Sequence, residues 1–165
     1  PAAWSNNFMD AKPVSESRII TRHLSLPAEA NAAGNMYGGH IMRHLDSVGF
    51  FSAAKHAACK LVTASATTFF REPIKIGEIL VFHASVNAVW NTSLEVGVRA
   101  EAECPYTGQR RHVCSCYLIY VGVDDEGAPS PLPPLVAETD EDRRRRTDAE
   151  RRMQFSRQEK RHNAP

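Results

Sequence analysis

The residues best placed to do chemistry lie in one stretch, Asn31-Ala-Ala-Gly-Asn-Met-Tyr-Gly-Gly-His-Ile-Met-Arg-His-Leu-Asp46. Its first half is rich in Asn and Gly and reads as a loop. From His40 to about Cys59 there is no Pro, and Ile41, Met42, Leu45, Val48, Gly49, Ser52, Ala53 and His56 recur at helical spacing. The second half therefore opens a helix. Gly38 and Gly39 leave its first turn without covering side chains, so the unpaired N–H groups and positive dipole end are open to an oxygen that carries negative charge. Asp46 follows roughly two turns later. On a helical wheel it falls beside Met42, Phe50 and Ala53, flanking the apolar stripe. A carboxylate there costs on the order of several kcal/mol unless it finds a partner. Two readings fit that position: a boundary residue reaching water or a neighbouring subunit, or a working carboxylate. As the latter, it serves as a general base or a nucleophile beside the amide tip of its own helix. Asn31 offers both a donor and an acceptor to a water or a carbonyl.

The elements that must position these residues follow from patterning. Arg18–Leu26 reads as a first strand stopped by Pro27. After the Gly loop and the long helix come strands at Leu61–Phe70, Ile79–Trp90, Leu94–Glu103 and Arg110–Val123, joined largely as hairpins. Pro73 and Gly77 punctuate one turn, Asn91-Thr-Ser93 another, and Cys104-Pro-Tyr-Thr-Gly-Gln109 a third. The class is α+β: a five-stranded antiparallel sheet wrapped around one long central helix, whose small-residue face lets the sheet come close. So apolar a helix, with a five-stranded sheet that has open edges, predicts a dimer that continues the sheet. Residues 1–17 are polar and read as a flexible arm, 18–127 as the globular domain, and 128–165 as a Pro-rich tether followed by a charged peripheral helix over Glu138–Lys160. Acids precede bases in that helix, as the dipole favours.

The chain has 165 residues and a formal net charge of +1, enough for one cored domain and no global argument for nucleic acid. No apolar run is long enough to span a bilayer, and the N-terminal residues lack the pattern of a secretion signal. Four cysteines without a Cys-x-x-Cys pair read as reduced thiols in a cytoplasmic protein. The Arg143–Arg146 run lacks interleaved aromatics and is balanced by nearby acids, so it reads as a solvated helix face. His40 and His44 have zinc-ligand spacing, but no Glu follows and no third ligand is evident, so no metal is expected. His23, His83 and His112 read as ordinary paired strand residues, and His56 as a buried residue bonding a backbone carbonyl.

Asn31-x-x-Gly34-x-x-x-Gly38-Gly39 followed by Asp46 resembles the hot-dog-fold acyl-CoA thioesterases, nearest the YciA-type bacterial and brain-type cytosolic acyl-CoA hydrolases. Pro73-Ile-Lys-Ile-Gly-Glu78, Asn91-Thr-Ser-Leu-Glu-Val96 and Tyr106-Thr-Gly108 agree in the right order, over roughly Arg18–Pro134. The resemblance implies the hot-dog fold and a dimer with active sites at its interface. It further implies a hexamer built as a trimer of dimers, and neither metal nor redox cofactor. It makes Asp46 the catalytic carboxylate and Asn31 the catalytic or water-positioning amide supplied by the opposite subunit. The implied reaction is hydrolysis of acyl-CoA to fatty acid and coenzyme A. The amides of Gly38 and Gly39 then polarise the thioester carbonyl, each such donor being worth about 3–4 kcal/mol. Arg110, Arg111 and Lys75 are candidates for the coenzyme A phosphates, Thr92 and Ser93 for its arm, and Met42, Phe50, Phe69 and Phe70 for the acyl groove. A hydroxyacyl-thioester dehydratase and a non-catalytic acyl-CoA sensor are the competing readings. The His-Phe-Pro-type stretch of the hot-dog dehydratases and a helix-turn-helix are both absent from the sequence.

Overall fold

The computed structural model describes residues 10–162. In chain order these form β1 (Lys12–Pro13), α1 (Val14–Ser17), β2 (Ile19–Leu24), a short 3₁₀ turn (Pro27–Glu29), α2 (Gly38–Ala57) and β3 (Lys60–Phe70). They continue with β4 (Ile79–Val89), β5 (Ser93–Glu103), β6 (Arg110–Val123), β7 (Leu135–Val136) and α3 (Asp140–His162). The five long strands make one antiparallel sheet in the order β2-β4-β5-β6-β3, and β1 pairs with β7 in a separate two-stranded ribbon. The expected hot-dog arrangement is present, with each strand and the long helix within a few residues of its sequence-predicted bounds. Residues 12–17, expected within a loose arm, are instead docked. Val14 and Ser17 are buried, and the Ser17 hydroxyl accepts the Val86 N–H while Ser52 donates to the Ser17 carbonyl. Residues 1–9 of that arm lie outside the described residues.

The core lies between α2 and one face of the sheet. Strand alternation brings Leu80, Phe82, Ala84 and Val86 of β4, Leu94, Val96 and Val98 of β5 and Leu118 and Tyr120 of β6 against Ile41, Leu45, Val48 and Ala53 of α2. Gly49 sets the closeness of that contact. A Cβ there would sit 2.8 Å from both Leu118 Cδ1 and Tyr120 Oη. In an open helix interior Gly→Ala stabilises by about 1 kcal/mol. Here the clash reverses the sign, and Gly49→Ala is expected to lower stability by about 1–3 kcal/mol, read as a lower urea midpoint at unchanged slope.

The opposite face of the sheet carries polar residues, and α3 crosses it. Thr139 and Asp142 cap α3 reciprocally: Asp142 N–H donates to Thr139 Oγ1 at 3.1 Å, and Thr139 N–H to Asp142 Oδ2 at 3.0 Å. All four arginines of the run pair with acids of the same helix, Arg143 with Asp140, Arg144 with Glu141 and Asp148, Arg145 with Glu141 and Arg146 with Glu150. Arg152, outside that run, is used differently. It makes two hydrogen bonds, 2.7 and 3.0 Å, to the carboxylate of Glu95, which is 1% exposed, and its guanidinium lies 3.7 Å over the Tyr117 ring. Asn87 completes the set by donating to Glu95 at 2.9 Å. Peripheral in sequence, α3 is thus anchored through an ion pair whose carboxylate is buried. No described helix is long and apolar enough to cross a membrane.

Candidate active site

Asp46 emerges on the uncovered side of α2 and is exposed in the single chain. Two contacts hold its surroundings. Thr63 Oγ1 donates to Asp46 Oδ1 at 3.3 Å, and Tyr120 Oη donates to the Asp46 carbonyl at 3.1 Å. Burial, with the Asp46 charge second, holds the Tyr120 phenol protonated far above its ordinary range, so it remains a donor. Thr63 was not singled out from the sequence. It precedes a β-bulge, where the β3–β6 register shifts between Thr63 and Ser65, and such bulges re-aim side chains next to functional sites. Nothing in the local sequence marks the bulge.

Asn31 is built into its loop by backbone bonding. Its Oδ1 accepts the N–H groups of Ala33 at 2.9 Å and Asn35 at 3.2 Å, while its N–H donates to the Asn35 carbonyl at 2.7 Å. Gly34 closes the turn at a φ of 76°, where a side chain would be strained. Two amide donors facing one side-chain atom identify that atom as oxygen. The acceptor end of Asn31, expected to share the work, is therefore occupied, and only its NH₂ is left to face a substrate or water.

The helix tip behaves as expected. Tyr37 occupies the N-cap without a side-chain hydrogen bond, the N–H groups of His40 and Ile41 turn back to the Tyr37 carbonyl, and those of Gly38 and Gly39 have no backbone or side-chain acceptor among the described residues. A Cβ on Gly39 would sit 2.7 Å from the Tyr37 ring, and one on Gly38 would meet only Phe70, at 3.8 Å. One expectation fails within the chain. Because α2 is unbroken from Gly38 through Asp46, the rise of the helix sets the Asp46 backbone about 11 Å along the axis from the amides of its own tip. The carboxylate does not meet those amides in a single copy.

The other site residues divide between the same two ends. Lys75 sits with the Asn31 loop through the Asn35–Lys75 bridge, next to Met36, whose N–H donates to the Ile74 carbonyl. Arg111 lies at that end too, but its guanidinium is committed to Glu78, at 2.9 and 3.0 Å, to Glu72 and to the Pro73 carbonyl. Arg110 is paired with Glu103. Both arginines are paired with carboxylates within the chain and stay partly exposed. Thr92, in the β4–β5 connection, and Ser93, the first residue of β5, are at the opposite end, at the level where Leu94 pairs Tyr120 and Tyr120 pairs Thr63. They lie on the Asp46 side and away from Asn31. Of the groove candidates, Met42 packs against the core, whereas Phe50, Phe69 and Phe70 are about half exposed.

Histidine placement follows the sequence reading with one addition. His56 is buried, with Nε2 2.8 Å from the Pro133 carbonyl, and burial lowers its pKa. His23 is paired, as expected, and its partner is Glu29. Burial pushes the Glu29 carboxyl up, but the Leu26 N–H and the His23 ring outweigh it and hold the carboxyl at about 2. Glu29 lies two residues before Asn31, and its carbonyl accepts the Tyr37 N–H at 2.7 Å, so it also ties the loop to the helix tip.

Comparison with known proteins agrees with the fold. Residues 33–109 match the thioesterase superfamily. The uncharacterized acyl-CoA thioester hydrolase YkhA of Bacillus subtilis is 30% identical over 148 residues, 89% of this chain and 86% of that protein. The acyl-CoA hydrolase of Staphylococcus aureus, solved in complex with butyryl coenzyme A, coenzyme A and coenzyme A disulfide, superposes with a TM-score of 0.86 at 30% identity, covering 91% of this chain and 92% of that one. A hexameric acyl-CoA thioesterase, solved in its apo form, gives 0.87 at 31% identity, covering 94% and 99%. With its sheet order, its central helix and its Asn31–Asp46 stretch all in place, the chain belongs to the hot-dog-fold acyl-CoA thioesterases.

Proposed function

We propose that the protein hydrolyses acyl-CoA thioesters to free fatty acid and coenzyme A, in sites that two copies share. The observation that carries this reading is the separation within one chain of the Asp46 half-site from the half-site of Gly38, Gly39 and Asn31. Edge strand β3 supplies the means of joining them. It is exposed along most of its length, has an open edge and carries no charge after Lys60. Antiparallel pairing of β3 with its copy lays the Thr63 half of one strand beside the Phe70 half of the other. Thr63 leads to Asp46, and Phe70 leads to Gly38. The same pairing covers Val62, Phe69 and Phe70, each about half exposed in one chain.

In that site the Gly38 and Gly39 amides of one copy receive the carbonyl oxygen as it gains charge. Asp46 of the other copy takes a proton from the attacking water, with Thr63 fixing the carboxylate and Asn31 donating through its NH₂. A direct attack by Asp46 is the alternative first step. The acyl chain lies against Phe50, Phe69 and Phe70. Lys75, which forms no ion pair among the described residues, meets a phosphate, and Thr92 and Ser93 contact the coenzyme A arm. The reaction needs no cofactor, coenzyme A being part of the substrate. Hexameric relatives support a trimer of such dimers. Unpaired cysteines at all four positions support a reducing, cytoplasmic setting.

The test is release of free thiol from an acyl-CoA panel, run beside sedimentation of the same sample. Turnover on at least one chain length, by a dimer or higher assembly, is expected. A well-folded assembly that binds acyl-CoA but releases no thiol from any member overturns the reading.

A further inference from the structure

Apart from the proposed active site, three side chains from three different elements turn metal-ligating atoms toward one point. Nε2 of His23, on β2, lies 2.8 and 3.0 Å from the two oxygens of Glu29, at the end of the 3₁₀ turn. Nε2 of His44, on α2, lies 3.5 Å from Oε1 of the same carboxylate. One ligand atom from each of the three residues lies within 4.8 Å of the other two. We propose that His23, Glu29 and His44 form a binding site for a divalent transition ion of the zinc type.

The donor set argues for that class. Two imidazole nitrogens and one carboxylate oxygen suit zinc and its neighbours, whereas magnesium and calcium prefer all-oxygen shells. Ligand bonds of about 2.0–2.1 Å in a tetrahedron place the ligand atoms about 3.3 Å apart. The His44–Glu29 separation already has that size and is long for a hydrogen bond. His23, 3.0 Å from Oε1, needs to withdraw by about 0.3 Å, and the two rings, whose centroids are 3.9 Å apart, must open. Both have room, since their side chains are 24% and 20% exposed. The same openness leaves a fourth position for water.

The carboxylate is already oriented by a group outside the ligand set. The Leu26 N–H donates to Oε2 at 2.9 Å, which leaves Oε1 for an ion. Glu29 is 6% exposed and its backbone is fixed through Tyr37, so the ligand is preorganised. The sequence hides this site because His23 and His44 are far apart in the chain and the obvious pair, His40 and His44, is not the one the fold uses. An ion here would lock β2, α2 and the segment entering the Asn31 loop together.

The test uses the full chain stripped with EDTA and titrated with Co²⁺. One equivalent is expected to bind with visible absorption of the four- or five-coordinate type, to be displaced by one equivalent of Zn²⁺, and to raise the thermal midpoint. His23→Gln and His44→Gln are each expected to weaken binding by about tenfold to a hundredfold, while His83→Gln leaves it unchanged. Protection of His23 and His44 from diethylpyrocarbonate by Zn²⁺, mapped by mass spectrometry on the wild type, requires no variant to fold. Absence of saturable Co²⁺ binding by the wild type, or full affinity in the His23→Gln/His44→Gln double variant, overturns the proposal.

Discussion

Asp46→Ala is expected to lower kcat on acyl-CoA by between about a hundredfold and ten-thousandfold, the usual contribution of a positioned proton acceptor. The fold is expected to survive. Asp46 is exposed, and its one side-chain contact, from Thr63, is a long 3.3 Å, so the stability change stays within about 0.5 kcal/mol. That combination separates chemistry from folding: circular dichroism and the urea midpoint remain at wild-type values while thiol release disappears. Asp46→Asn keeps the shape and is expected to lose as much. In a single turnover in ¹⁸O-water, label found in the Asp46 carboxylate identifies the nucleophilic route, with water opening the anhydride at the aspartyl carbonyl, whereas general-base catalysis places label only in the fatty acid. Wild-type turnover in well-folded Asp46→Ala would remove this residue from the mechanism.

The second large effect is recovery rather than loss. Asp46→Ala and Asn31→Ala chains, each inactive alone, are expected to regain about a quarter of wild-type activity when unfolded together and refolded as an equal mixture. Half of the resulting dimers are mixed, and each mixed dimer has one intact site, made from the Asn31 loop of one copy and Asp46 of the other. The expectation follows from the rise of α2, which holds the two half-sites apart in a single chain. No recovery in mixtures that demonstrably contain mixed dimers would place Asp46 and Asn31 of the same copy in one site. Asn31→Ala also releases the Ala33 and Asn35 N–H groups. Asn31→Asp, which retains the acceptor and loses the donor, is therefore the cleaner partner in this experiment.

Hydrophobic periodicity made the fold legible in advance. The four strands after α2 and the helix itself sit where alternation and helical spacing put them, and the small face around Gly49 does admit the sheet at close range. The candidate site residues come from local patterns too, a carboxylate beside an apolar stripe and a bare helix tip, and the structure shows Asp46 exposed and the Gly38 and Gly39 amides without an acceptor among the described residues. What sequence could not supply was distance across the fold. Asp46 was expected at its own helix tip, although counting residues along α2 already separates them. Thr63 and the His23–Glu29–His44 cluster depend on a bulge and on a crossing of three elements, neither of which has a local signature. Val14 and Ser17 read in sequence as part of a loose arm because so short a docked segment shows no period at all.

The strap that α3 lays across the back of the sheet limits how these molecules can grow. Two sheets stack flat at a spacing of about 10 Å, which is also the thickness of a helix. With Arg152 seated on Glu95 and over Tyr117, a helix already occupies part of that layer in each copy. Any molecule that approaches the back of the sheet therefore meets α3 first, and a second sheet has no bare face there on which to lie flat.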